Sequence, residues 1–269
     1  MPRTLKIALA LLWALGSAQA NPHNTWQPFQ YGAGASKAAA ASGGYDCGSA
    51  SDPGVLVFWQ MREPSGSIVD AANGVTLTAS GSPTFGISAG YPFILVSPGI
   101  TYDANSEYHQ KTGAEASCHV GTNDFTVEYW YSSTSTSGSR TIFDTRDSVN
   151  ARGYEIHMNY HTNTISTIIR TELDTDVSPF SGQPSGITLN DGNPHKVRIT
   201  FDRSGSATFR VDGVSAGTSS MSAADGEDIN CNTITMGNII TLGNTADSTI
   251  YCYRASTGLT ANSGGPGGG

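Results

Sequence analysis

The segment Leu189–Gly213 limits what this chain can fold into more than any other, because two alternating runs flank a short polar turn in it. The apolar positions of the two runs are Val197, Ile199, Phe201, Ala207, Phe209 and Val211. The polar positions between them are Lys196, Arg198, Thr200, Thr208, Arg210 and Asp212. Alternation with period two puts every second side chain on the same face of a strand. The segment therefore predicts an antiparallel hairpin with one buried face and one polar face.

Composition extends this prediction to the whole chain. Of 269 residues, 38% are hydrophobic and only 13% are charged, and the chain contains 32 glycines and 12 prolines. Few charges with many turn-forming residues favour an all-β domain over a helical bundle. The formal net charge of −8 argues against nucleic acid or an anionic membrane surface as a partner.

The first twenty residues have the features of a secretory signal peptide. Arg3 and Lys6 supply a positive start, Ile7–Leu15 an apolar segment, and Ala18–Ala20 a small-residue cleavage site. The apolar run is much shorter than the roughly 20 residues that a membrane-spanning helix needs. We therefore expect a secreted, extracellular or periplasmic protein with no membrane span.

The rest of the chain divides into three predicted parts. Residues 21–53 form a Gly/Ala/Ser-rich leader without periodicity, which predicts a flexible segment. Residues 54–256 contain consecutive short strand patterns, including the apolar runs Val55–Trp59 and Pro92–Val96. Residues 257–269 form a Gly-rich tail. We expect one β-domain over residues 54–256.

Four cysteines follow the predicted signal: Cys47, Cys118, Cys231 and Cys252. An even number of cysteines in an exported chain predicts two disulfides, with three possible connectivities. A zinc site is the alternative, but the chain has no C-x-x-C pair. Because Cys231 and Cys252 are close in sequence, we predict that they pair, which leaves Cys47 with Cys118.

Several motifs occur in an order typical of one family. Asp124–Trp130 matches the strand D-F-T-V-E-F-W closely, and the 189–213 hairpin matches D-G-x-x-H-x-V followed by V-D-G. The opening strand at Val55–Trp59 and the closing strand at Thr249–Arg254 also fit. The chain thus resembles laminin-G-like domains of the concanavalin A-like lectin/glucanase superfamily. The resemblance implies a two-sheet antiparallel jellyroll sandwich, with His195 in a structural role.

Glycosidases of this superfamily carry two or three carboxylates at alternate positions of one strand. The nearest segment here is Glu155–Tyr160, in which Glu155, His157 and Asn159 share the outward face. A second carboxylate on that strand is absent, and the usual hydrolysis needs two. We therefore expect a solvent-exposed polar face at Glu155 and a protein that is not an enzyme.

A candidate calcium site lies in the turn after Thr101. Asp103, Asn105 and Glu107 place three oxygen-bearing side chains at alternate positions, and hard cations prefer oxygen ligands. The family resemblance adds to this hypothesis, because many relatives bind calcium at loops on the sandwich edge. The alternative is an ordinary polar turn.

The candidate ligand-binding residues are Trp130 and Glu128. Both lie on the face of their predicted strand opposite to Phe125, Val127 and Tyr129. The flat ring of a tryptophan can stack on the C–H face of a sugar, and a neighbouring carboxylate can accept hydrogen bonds from hydroxyl groups. The alternative for Trp130 is burial beneath a crossing loop.

Together these features predict a secreted, non-catalytic module that binds a glycan or an extracellular protein surface, assisted by calcium. One alternative is a structural subunit of an extracellular filament or virion-like assembly, in which the Gly-rich ends join copies of the chain into a homo-oligomer. Another alternative is a glycoside hydrolase with an atypical active site.

Overall fold

The computed structural model describes residues 48–87, 98–136, 138–177, 183–238 and 246–259. Within them, two short 3-10 helices lie at Ala116–Cys118 and Ser222–Ala224. The strands are β1 Val55–Trp59, β2 Ile68–Val69, β3 Thr76–Ser80, β4 Thr84–Ile87, β5 Gly99–Tyr102, β6 Tyr108–Lys111, β7 Phe125–Ser132, β8 Ser139–Asp144, β9 Gly153–Asn159, β10 Thr164–Arg170, β11 Asp176–Val177, β12 His195–Phe201, β13 Ser206–Val211, β14 Val214–Ser220, β15 Ile234–Met236 and β16 Ser248–Thr257.

The strands form two antiparallel sheets. The first sheet has the order β14-β13-β12-β7-β16-β5-β4, and β1 also pairs with β16. The second has the order β11-β10-β9-β8-β15-β6-β3-β2. Strands distant in sequence are neighbours in both sheets, as in a jellyroll. The predicted all-β, two-sheet sandwich is confirmed.

The core lies between the sheets and is built from the alternating positions. In the hairpin of β12 and β13, Val197 pairs with Val211 and Ile199 pairs with Phe209, and all four are buried. From the second sheet, Tyr154 of β9 faces the same core, and its hydroxyl lies 3.1 Å from that of Tyr253. Period-two patterning therefore determines which face of each sheet is buried.

The disulfide connectivity predicted from sequence spacing is wrong. Cys118 pairs with Cys231, with the Cα atoms 5.7 Å apart, which excludes both predicted pairs. Cys252 is also disulfide-bonded, and Cys47 lies outside the described residues. A backbone bridge between Gly121 and Ile229 brings Cys118 next to Cys231. Cys252 belongs to β16 of the first sheet, where it pairs with Trp130, so closeness in sequence did not give closeness in space.

Several predicted features fall outside the described residues. They are the signal peptide, most of the leader and of the tail, and the apolar run at 92–96. The described strands begin at Val55 and end at Thr257. The described residues contain no helix with the length and apolar character needed to cross a membrane.

Candidate functional site

The outer face of the first sheet carries two rows of polar side chains that cross several strands. Cross-strand partners in an antiparallel sheet lie on the same face, so the pairing registers define each row. The first, here called the charged row, consists of Ser215, Arg210, Arg198, Glu128, Arg254 and Phe58. The second, here called the hydroxyl row, consists of Thr218, Thr208, Thr200, Thr126 and Ser256. Each row runs from β14 towards β16.

One half of this face, over β7, β16 and β1, is covered. Glu128 and Arg254 are each only 2% exposed. Arg254 Nη1 lies 3.0 Å from Asp52 Oδ2 and 4.0 Å from Glu128 Oε2, and Lys196 Nζ lies 3.4 Å from Glu128 Oε1. Ala50 also packs in a cluster around Phe58, which pairs with Arg254 in the strand register. The segment before β1 therefore lies against this half of the face.

The structure places the two predicted ligand-binding residues on one face of β7, as expected from the alternation. Trp130 is half-buried and packs with Phe58 and Cys252. Glu128 is enclosed by Lys196 and Arg254. Only Trp130 keeps exposed surface, so the predicted ligand contact depends mainly on its ring. Contact with a ligand stays a prediction for both residues.

The other half of the face, over β12, β13 and β14, is open and is here called the open half. It consists of the outward side chains Lys196, Arg198, Thr200, Thr208, Arg210, Ser215 and Thr218. Each of them is half-buried or exposed. The sequence already contained this signal, since most of these residues are the polar positions of the predicted hairpin, but their alignment into rows needs the strand register.

The outer face of the second sheet carries a buried charged cluster, which corrects the prediction that the face at Glu155 is exposed. Asp144 of β8 and Glu155 of β9 are cross-strand partners, and each is 0% exposed. Arg146 binds both carboxylates: its Nε lies 2.9 Å from Asp144 Oδ1, and its Nη2 contacts Glu155. Thr141 donates a hydrogen bond of 2.6 Å to Glu155 Oε1. The second carboxylate comes from a neighbouring strand, so a motif search along β9 could not find it.

This cluster has an excess of carboxylate over cation, which changes its protonation. Burial, together with the nearby Asp144, raises the pKa of Glu155 to about 7, although Arg146 and Thr141 act in the opposite direction. Burial and the charge of Arg146 lower the pKa of His157 to about 4. His157 Nδ1 lies 3.3 Å from Glu155 Oε1. The cluster thus keeps His157 neutral near neutral pH and lets Glu155 hold its proton up to about that pH.

The cluster is poorly suited to the two-carboxylate hydrolysis of the superfamily's glycosidases. That reaction needs one carboxyl group as acid and another as nucleophile or base, both in contact with the sugar. Here a single guanidinium binds both carboxyl groups, and neither is exposed. A buried arginine between two acids is a common way of satisfying buried charge.

The predicted calcium turn is closed by its own glutamate. Glu107 is 8% exposed, and its Oε2 accepts hydrogen bonds from the amides of Asp103, at 2.9 Å, and Ala104, at 3.2 Å. Asp103 and Asn105 are exposed. Within the described ranges, no group of three or more His, Cys, Asp or Glu side chains is placed to hold a metal ion. Calcium at this turn stays a prediction.

His195 has the structural role that the family resemblance implies. Its Nδ1 lies 2.8 Å from Asp212 Oδ2, and its Nε2 lies 3.1 Å from Asp191 Oδ1. Burial alone would lower the pKa of His195, but the two carboxylates raise it overall. The imidazole therefore joins the start of β12 to the turn between β13 and β14.

Comparisons with known proteins agree with this fold. A family model described as the concanavalin A-like lectin/glucanases superfamily matches residues 104–253. No curated protein matches the sequence. At identities of 13–16%, the structural likenesses below show the fold alone.

Three solved structures illustrate the likeness. The binding domain of botulinum neurotoxin serotype G aligns with a TM-score of 0.59 at 13% identity, over 77% of this chain and 48% of that one. The binding domain of botulinum neurotoxin DC in complex with rat synaptotagmin II aligns with 0.56 at 15%, over 77% and 49%. The same domain in complex with SialylT aligns with 0.54 at 16%, over 78% and 49%. The chain spans about half the length of these structures.

Proposed function

The chain belongs to the concanavalin A-like lectin/glucanase superfamily, and on that premise we propose that it is a secreted, non-catalytic module that binds a glycan or a protein surface. The observation that carries the proposal is the two-sheet sandwich itself, which aligns over 77% of the chain with a toxin binding domain. The similar botulinum neurotoxin DC domain is described in complexes with SialylT and with synaptotagmin II. Such sandwiches therefore serve as scaffolds for either kind of partner.

Trp130 is the residue proposed to contact a sugar. Its ring is half-buried, so it is held in place while part of it remains accessible. It lies across from Lys196 of β12, at the boundary between the covered and open halves of the face. An anchored aromatic ring beside a polar surface is typical of ligand contacts, because little side-chain entropy is lost on binding.

The buried cluster at Glu155 supports a non-catalytic role. Hydrolysis would require Asp144 and Glu155 to leave Arg146 and reach a substrate, and each is enclosed. An arginine stripped of both buried partners would be an uncompensated charge. The proposal includes secretion, supported by the signal-like residues 1–20, and calcium binding at Asp103, Asn105 and Glu107, supported by two exposed oxygen-bearing side chains in that turn.

The test is glycan-array binding of the full chain and of Trp130→Ala, in calcium and in chelator. We expect a set of glycans to bind, with about five- to thirtyfold weaker binding by the variant, because loss of one stacked ring costs on the order of 1–2 kcal/mol. Tyr108→Ala is the matched control, since Tyr108 is a half-buried aromatic residue in the second sheet. Equal binding by both variants, with melting temperatures unchanged, would contradict the role of Trp130.

The calcium arm of the same experiment tests the turn. If calcium assists binding, chelator weakens binding by the wild type, and Asp103→Ala in calcium behaves like the wild type in chelator. Asp103 is exposed, so its removal should leave the fold intact. Binding that is identical in both buffers would remove calcium from the proposal and leave glycan recognition standing.

A further inference from the structure

We propose that the open half of the first sheet's outer face binds an acidic glycan, that is, a hydroxyl-rich polymer carrying sulfate or uronic acid groups. The inference rests on the proposed function and names the ligand class. The surface combines an excess of cations with a regular series of hydroxyl groups, and both features belong to the same three strands, β12, β13 and β14.

The first argument is local charge. The chain has 14 Lys and Arg against 22 Asp and Glu, yet the outward residues of the open half include three cations and no carboxylate. Arg198 lies directly opposite Arg210 in the strand register. Like charges at opposed positions destabilise a sheet. No carboxylate among the outward residues of the open half offsets the repulsion between these two guanidinium groups.

Counting the ion pairs across the whole face leads to the same conclusion. The cations are Lys196, Arg198, Arg210 and Arg254, and the carboxylates in the charged row or over it are Glu128 and Asp52. Both carboxylates are within 4.0 Å of Lys196 or Arg254. A third carboxylate, Asp212 in the turn after β13, binds His195 and the backbone amide of Lys196. Among the described residues, no ion pair or side-chain hydrogen bond involves Arg198, and Arg210 donates only to the carbonyl oxygen of Gly213, at 3.0 Å. Two guanidinium groups therefore remain for an anion.

The second argument is the hydroxyl row. Thr200, Thr208 and Thr218 lie on adjacent strands at matching register, next to the two arginines. Neighbouring strands are about 4.8 Å apart, so the hydroxyl groups repeat at that interval across the open half. Each hydroxyl group can both donate and accept a hydrogen bond, which suits the hydroxyl groups of a sugar chain. Arginine supplies a planar pair of donors for a sulfate or carboxylate group.

The same surface fits other polyanions less well. A lipid bilayer would need a patch of exposed apolar side chains, whereas the seven outward residues of the open half are all polar. Among the described residues of β12, β13 and β14, Val214 at the start of β14 is the exposed large hydrophobic residue. The net charge of −8 repels every polyanion at long range, so the local cations and the hydroxyl row must carry the selectivity. A phosphodiester backbone has few free hydroxyl groups, whereas each ring of an acidic glycan has several that can bond to the hydroxyl row.

The experiment measures binding of the full chain to immobilised heparin, to neutral dextran and to vesicles containing phosphatidylserine. The test variant is Arg198→Gln with Arg210→Gln. The control is Arg152→Gln with Arg170→Gln, two arginines of the second sheet and its loop that pair with Asp174. Each variant loses two positive charges, so a general electrostatic effect would weaken heparin binding equally in both.

We expect heparin to bind the wild type, with at least about tenfold weaker binding by the Arg198/Arg210 variant and a change of less than twofold for the control. Added salt should weaken wild-type binding, because the groups involved are accessible to ions. The test variant should melt no lower than the wild type, since it removes a like-charge pair. Arg198→Lys, which keeps the charge, serves as a second variant and should retain most of the binding.

Each other outcome overturns the inference in a recognisable way. Binding of neutral array glycans without heparin binding would leave the proposed function standing and remove the acidic ligand. Equal losses in the two double variants would indicate a non-specific charge effect. Arginine-dependent binding to vesicles without heparin binding would assign the surface to a membrane. Absence of binding to any glycan would contradict both proposals.

Discussion

At the scale of single residues, the buried cluster on the second sheet shows how the environment alters a side chain that looks ordinary in the sequence. Glu155 has the alternation of an exposed polar position, yet it is enclosed between Asp144, Arg146 and Thr141. With two carboxylates for one guanidinium, both cannot be ionised and fully compensated. Glu155 therefore holds its proton to a higher pH than an ordinary glutamate, with its pKa raised to about 7 mainly by burial.

Replacing Glu155 with Gln should change how stability depends on pH. The pKa of Glu155 is 4.5 in an ordinary setting and about 7 in the fold, so the folded state holds this proton more tightly. Between these two values the unfolding free energy of the wild type contains a contribution that is present at low pH and is lost as pH rises. Gln cannot titrate, so the stability of Glu155→Gln relative to the wild type should rise by about 3 kcal/mol across that window.

Urea denaturation of both proteins at pH 4.5 and pH 8 measures this difference. The control is Glu172→Gln, because Glu172 also pairs with an arginine, Arg152, but is partly exposed. A difference between Glu155→Gln and wild type that is constant with pH would mean that Glu155 ionises normally in the fold.

At the scale of strands and loops, the sequence predicted the features that depend on alternation within one strand. It did not predict the features that depend on how two strands align. The hairpin of β12 and β13 was predicted correctly, because each apolar residue identifies its own face. The approach of Asp144 to Glu155 was not, because it depends on how β8 aligns with β9, including a shift between Thr141 and Phe143. The local sequence pattern also could not predict that Arg198, Arg210 and Glu128 align in one row, because that depends on the register of three strands.

The disulfide illustrates the same limit and provides a test. Cys118 and Cys231 are separated by 113 residues, and closing a loop of that size stabilises a fold by about 4–5 kcal/mol in the chain-entropy model. We expect Cys118→Ser with Cys231→Ser to lower the unfolding free energy by about 3–5 kcal/mol. Ser117→Ala is the control, since it changes a neighbouring residue and leaves the bond intact.

Denaturant unfolding measures the loss, and peptide mapping without reduction identifies the bond directly. A cross-linked peptide containing Cys118 and Cys231 is expected. Cross-linked peptides joining Cys231 to Cys252 would restore the pairing predicted from spacing and exclude the structural one.

At the scale of the whole molecule, the two outer faces differ in chemistry. The first sheet presents an open half in which Arg198 and Arg210 have no carboxylate partner among the described residues. The end of the second sheet instead carries an acidic surplus around Arg152 and Arg170, and its members are Asp147, Glu172, Asp174, Asp176, Glu227 and Asp228. The net charge of −8 thus hides a local reversal of sign on one face. Bulk composition alone does not suggest the acidic glycan that we propose for this face.

A non-catalytic sandwich should release no sugar from polysaccharides. We expect the full chain to give no reducing ends from β-glucans or from the glycans it binds, because the paired carboxylates of the second sheet are enclosed. A reducing-end assay over several hours makes the measurement, with Glu155→Gln as the comparison. Turnover by the wild type that is lost in Glu155→Gln, while the variant remains folded, would identify a hydrolase.

The opposition of Arg198 and Arg210 has a consequence for how this domain responds to selection. Two like charges at matched positions of adjacent strands lower stability, so the arrangement is locally frustrated in the absence of an anion. We expect a library of variants sorted for heat resistance alone to replace one of the two arginines, whereas the proposed heparin binding predicts that sorting for retention on heparin keeps both. A substitution at this pair is therefore expected to raise thermal stability and to weaken the proposed ligand binding.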